Sequence, residues 1–241
     1  MLWSRICLWV KMRLAALILV AEGLLLRTLC AQGADPGVVR EVLLVRDEVS
    51  RSLQALQHYT WNERTDVSVD GKPKSSTTML CHYDGSGELI KKPVSEDGQK
   101  PANQFSNRPV VRKRADLEDY IDRSVASMRD YLPLKPDRIQ YMLEHNQVAY
   151  TQSGQNKAEF RLTSYFQDGD SIVFTCDPIS KAMLQIHVAT TLGTPKDPVT
   201  MEALFETLPD GINHLASATL NAPKRKVQVK RTDFSYAKSG N

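Results

Sequence analysis

The sequence predicts an α+β fold, with helices packed on one face of a curved antiparallel β-sheet. Two stretches, Val38–Gln57 and Leu117–Leu132, repeat apolar residues at three- and four-residue spacing, as amphipathic helices do. Most of the remainder alternates apolar and polar residues between tight-turn signals, so strand follows strand. Consecutive strands joined by short turns pair antiparallel, and such a sheet buries one face and wets the other.

Asp35-Pro36-Gly37 starts the first helix, with proline inside the first turn. Its stripe is Val42, Val45, Val49, Leu53 and Leu56, with Arg40, Glu41, Asp47, Glu48 and Arg51 filling the other side. The period then changes to two. Tyr59, Trp61, Thr65, Val67 and Val69 alternate with polar neighbours, and Asp70-Gly71 turns the chain. Ser75–Tyr83 and Glu88–Val94 form a hairpin around Asp84-Gly85-Ser86-Gly87, and the polar stretch Ser95–Asn107 reads as a loop. The second helix follows, stopped by Pro133, and Pro136-Asp137 starts a third through Glu144.

The closing part is a meander. Phe160–Gln167 and Ser171–Asp177 flank Asp168-Gly169, a two-residue hairpin signal, and Lys181–Leu192 comes after Asp177-Pro178. Val199–Glu206 alternates cleanly, Pro209-Asp210-Gly211 turns into Ile212–Leu220, and Ala222-Pro223 leads to Lys226–Tyr236.

Residues 1–31 read as a secretory signal and residues 32–241 as one domain. Lys11 and Arg13 precede the apolar run Leu14–Leu26, and Ala31 offers a small residue at the cut. Lys11, Arg13, Glu22 and Arg27 break any run long enough to span a bilayer. Arg27, Thr28 and Leu29 before Cys30 do not make a lipoprotein box. The expected location is therefore exported, periplasmic or extracellular. The signal also holds the whole net charge of +3, because Arg5, Lys11, Arg13 and Arg27 face only Glu22 there. A neutral remainder argues against nucleic acid as partner, which needs a sustained cationic excess. The basic runs Arg112–Arg114 and Lys224–Lys226, with Lys230 and Arg231, lack interleaved aromatics and read as solvated faces.

Removing the signal leaves Cys81 and Cys176, both at strand parities facing the apolar side. In an oxidising compartment they are candidates for a disulfide, which over so long a loop contributes about 4–5 kcal/mol. Buried thiols packed as small hydrophobes are the equal alternative. Chemistry is otherwise sparse. His58, His82, His145, His187 and His214 form no metal-ligand spacing, and two lone thiols complete no metal site. Asp168, Asp170 and Asp177 are explained by turn chemistry. No nucleophile elbow, phosphate loop or dinucleotide fingerprint occurs, so neither an enzyme nor a cofactor is expected. What remains is apolar surface. Trp61, Phe160, Phe166, Phe174, Met201 and Phe205 fall on one face of the expected sheet and are candidates to line a ligand cavity.

Several stretches resemble the LolA/LolB-like periplasmic lipoprotein carriers. They are the first strand Tyr59–Val69 after a helix, the hairpin at Tyr83-Asp84-Gly85-Ser86-Gly87, the segment Cys176–Leu184, and the terminal meander. The resemblance spans about Val38–Tyr236 and implies a half-barrel with helices on its concave face. It also implies non-catalytic binding of a lipid or of lipoprotein acyl chains in an apolar cavity. No functional residue of that family maps onto a position here. The alternative is an envelope protein-interaction or sensor domain, with the interior filled and no ligand.

Overall fold

The computed structural model describes residues 35–94, 108–128, 130–131, 134–153 and 157–239. The expected signal and the loop at 95–107 lie outside them. Helix α1 is Pro36–Leu56, capped by Asp35, whose Oδ1 accepts the Gly37 N–H at 2.8 Å. Strands β1 (Tyr59–Val69), β2 (Lys72–Tyr83) and β3 (Leu89–Pro93) follow. Helices α2 (Arg108–Met128) and α3 (Pro136–Glu144) come next. The meander is β4 (Val148–Ser153), β5 (Lys157–Thr163), β6 (Ser171–Cys176), β7 (Met183–Thr191), β8 (Pro198–Thr207), β9 (Asn213–Ala222) and β10 (Val227–Lys238).

All ten strands form one antiparallel sheet in the order β3-β2-β1-β10-β9-β8-β7-β6-β5-β4. The sheet is open, with β3 and β4 at its edges. The α+β class and the helix-covered sheet are as the sequence predicts. At the β1–β2 turn, Asp70 and Gly71 both take positive φ, as a two-residue hairpin requires.

Three details differ from the sequence reading. The weakly patterned stretch Val148–Ser153 is a strand, with Tyr150 opposite Phe160. The β5–β6 connection is not the two-residue turn expected at Asp168-Gly169. The Asp170 carboxylate accepts the backbone N–H groups of Tyr165, Phe166 and Gln167 at 2.6–2.8 Å, which holds a longer loop together. In the second basic run Lys224, Arg225, Lys226 and Lys230 are exposed, as a solvated face expects, and only Arg231 departs from that reading. Lys224 pairs with Asp197 and Lys226 with Asp70, the Arg225 guanidinium lies 5.8 Å from the Tyr120 ring, and Arg231 is buried among acids.

The helices cover the inner face. Row by row across the sheet, Val148, Leu162, Ile172, Val188, Met201, Leu220, Val229 and Val67 stand opposite one another from β4 to β1. A neighbouring row runs Tyr150, Phe160, Phe174, Ile186, Ala203, Ala218, and only then reaches Arg231. Val45 of α1, Tyr120, Val125 and Met128 of α2, Tyr131 in the turn that follows and Met142 of α3 close over these rows.

Candidate functional site

Polar latches fasten the helices at opposite ends of the strands. At the end where β7 runs into β8, Tyr120 of α2 donates its hydroxyl to Asp197 Oδ1 at 2.7 Å, and Lys224 Nζ donates to Oδ2 at 2.9 Å. Burial works to raise the Asp197 carboxyl, but the Tyr120 and Lys224 contacts outweigh it and hold it below the usual range. Burial, then the Asp197 hydrogen bond, pushes the Tyr120 phenol up to about 12.

Just beyond α2, Tyr131 donates to Asp170 Oδ2 at 2.8 Å and shares a 2.6 Å hydrogen bond with Thr190. Arg138 of α3 reaches the carbonyl oxygens of Ser164 and Tyr165 on the same side. Helix α1 is held at the other end of the strands. Its Ser52 hydroxyl accepts the Asn213 N–H at 3.1 Å, and Lys181 pairs with Glu41 at 2.6 Å.

Of the six aromatic and methionine candidates, the structure brings four together. Phe160, Phe174 and Met201 are buried in the main core, and Phe205 packs at its margin. Phe160 and Phe174 stack at 4.7 Å, with Tyr150 at 4.9 Å from Phe160. The cluster that holds them also contains Val45, Tyr120 and Met142 of the helices. Trp61 shares the parity of Val67 on β1 but belongs to a separate cluster with Met79, Cys81, Tyr83, Leu89 and Tyr236. Phe166 is not on the sheet: it rides the Asp170-bonded loop, 53% exposed.

Cys81 and Cys176 are both free and buried, on β2 and β6, with five strands between them. A bridge needs Cα atoms within about 7 Å, and five intervening strands at about 4.8 Å spacing exceed this severalfold. The disulfide expectation is thus replaced by its alternative, two packed thiols. Among the described residues no three metal-type ligands come together. No helix among them is long and apolar enough to cross a membrane.

Between the main core and the Trp61 cluster lies a feature that the sequence reading missed. Glu63, wholly inaccessible, uses Oε2 to accept both Lys91 Nζ at 2.6 Å and Arg231 Nη2 at 3.0 Å. Arg231 also grips Asp233 with two hydrogen bonds at 2.7 and 2.5 Å. Burial lowers the Lys91 ammonium below its ordinary value. Burial likewise raises the Asp233 carboxyl, against the pull of Arg231. A signal was present in the sequence. Glu63 falls between Trp61 and Val67 in the inward parity of β1, and Arg231 and Asp233 continue the inward parity of Val227 and Val229.

An open cleft of about 330 Å³ borders this region, lined by Tyr59, Leu208, Pro209, Asp210, Tyr236 and Lys238. Its Tyr236 ring stacks on Trp61 at 5.7 Å. A second cleft of about 320 Å³ lies at the far end of β1, beside Ser68, Asn221 and Gln228. None of the six sequence candidates lines either cleft.

No family model matches the chain, and no curated protein does. Among solved structures it is similar to a DUF1329 family protein from Desulfovibrio piger, with TM-score 0.38, 11% identity, and coverage of 82% of this chain and 93% of that one. A putative outer membrane lipoprotein-sorting protein domain from Vibrio parahaemolyticus follows, with TM-score 0.37, 10% identity and coverage of 80% and 92%. A LolA superfamily protein from Nitrosomonas europaea gives TM-score 0.34, 7% identity and coverage of 80% and 94%. The family named from the sequence is among them.

Proposed function

We propose that this chain is an exported, non-catalytic binding protein that takes an apolar, acyl-type ligand between its helices and the inner face of its sheet. The observation that carries the reading is the pair of apolar rows beneath helices whose latches sit at opposite strand ends. Apolar surface of this kind separates and re-forms around an acyl chain with little polar cost, because each buried CH₂ contributes about 0.8 kcal/mol wherever it is buried. Entry requires the cover to move, since Phe160, Leu162, Ile172 and Val188 are wholly inaccessible with the helices in place. That same inaccessibility favours a second reading, an envelope interaction or sensor domain with a permanently filled interior.

Titrating the full chain with a fluorescent fatty acid such as cis-parinaric acid separates the two. The acyl reading expects saturable binding, weakened about tenfold or more by Phe205→Glu, a charge at the margin of the core. Circular dichroism checks that the variant is folded. If folded F205E binds as tightly as the parent, or the parent does not bind, the filled-interior reading takes its place.

A further inference from the structure

The charged group on β1, β3 and β10 is complete in charge and incomplete in hydrogen bonds. Two cations, Lys91 and Arg231, meet two anions, Glu63 and Asp233, so the formal charges cancel. Two atoms are left over. Glu63 Oε1 accepts nothing, and the Trp61 indole Nε1–H donates to nothing, and both are shielded from solvent. Buried polar atoms are nearly always paired, and each unmet one costs about 1–3 kcal/mol. One orphan is an acceptor and the other a donor. They belong to residues two apart on the same face of β1, whose Cα positions stand about 7 Å from each other.

Extending the acyl-ligand reading, we propose that Trp61 and Glu63 form a subsite for a neutral secondary amide, the polar end of an N-acylated amine. The amide carbonyl accepts the indole N–H and the amide N–H donates to Glu63 Oε1. The amide's own O and N are about 2.3 Å apart. With a hydrogen bond of about 2.9 Å on each side, the amide bridges a donor and an acceptor about 8 Å apart. Its entry requires the Trp61 and Glu63 side chains to part, since both are enclosed. An anion would face the unmet carboxylate oxygen, and a cation would face Lys91 and Arg231. An ester leaves Glu63 Oε1 unmet because it has no donor. From this subsite an acyl chain runs along the inward parity of β1 and β10 toward Val67 and Val229 of the main core. The cleft beside Tyr236 gives the approach from outside.

The test uses the full chain and the Trp61 indole N–H resonance, assigned among its three tryptophans by the absence of that peak in Trp61→Phe. Three probes are titrated: N-methyldecanamide, methyl decanoate and N-methylacetamide. The expected result is amide binding about tenfold tighter than ester binding, a downfield shift of the indole peak with the amide, and loss of most of that preference in W61F. Equal affinity for both decanoyl probes with an unmoved indole peak overturns the subsite and leaves the acyl reading standing. An indole shift with N-methylacetamide, and no tighter binding of the decanoyl amide, keeps the subsite and overturns the acyl reading. If no probe moves the peak, the orphans hold an ordered water only and the subsite is overturned.

Discussion

Burial pushes the Cys81 thiol up to about 12, with the nearby Glu63 carboxylate adding to it, and burial pushes the Cys176 thiol up to about 11. Only the thiolate reacts, so both are expected to be inert near neutral pH. At pH 8, iodoacetamide should label these two positions no faster than the protein unfolds, as read by peptide mapping. Rapid labelling of either in native protein would contradict its packing. Glu63 carries more of the structure than either thiol. Glu63→Ala removes the shared partner of Lys91 and Arg231 and leaves two buried cations with Asp233 alone. A loss of about 3–5 kcal/mol in urea denaturation is expected. A loss under about 1 kcal/mol would mean that water reaches the group.

The elements depend on their latches. Tyr131→Phe removes hydrogen bonds to Asp170 and Thr190, and should cost about 1–3 kcal/mol while leaving the strands intact. Tyr120 gives a pH signature. Its phenol is raised in the folded state, so its contribution is full below about 10 and is lost as pH rises through about 12. Asp197 is lowered, so its contribution holds above the ordinary carboxylate value of 3.8 and fades as pH falls beneath it. Thermal unfolding should thus show a steeper fall between pH 10 and 12 for the parent than for Tyr120→Phe. Parallel curves would deny the latch.

These elements were legible to different degrees for physical reasons. The starts of α1 and α3 and the whole of β1 follow from local signals, namely a cap, a proline in the first turn and strict alternation. Strand β4 does not, since only Val148 and Tyr150 mark it and its pairing with β5 makes it a strand. The sequence alone places Phe166 on the sheet because Asp168-Gly169 has the form of a two-residue turn. Asp170 instead draws three backbone N–H groups around itself and takes Phe166 off the strand. The Glu63–Arg231 contact exists because β10 pairs with β1, a partnership that neither strand's own residues announce.

Across the whole molecule, the row of the inner face that starts at Tyr150 changes character between β4 and β1. It is aromatic and aliphatic over β4 to β7, small at Ala203 and Ala218, and charged at Arg231 of β10, which pairs with Glu63 of β1. Hydrogen exchange should be slowest in the central strands β7 to β9 and faster in the latched helices, because covering elements open before the sheet that they rest on. Equal protection throughout would describe a permanently fixed cover. The strand order has a further consequence, for time rather than for space. Among the described strands, β3-β2-β1 pair with the sheet of β4–β9 only through β10, the last strand of the described chain. While the chain is being synthesised, it therefore holds two half-sheets, each with an open central edge that invites mispairing. The two halves cannot become one hydrogen-bonded sheet until Val227–Lys238 arrives, and the same event brings Arg231 and Asp233 to Glu63. Assembly of the sheet and completion of its buried charges are one step, and it comes last.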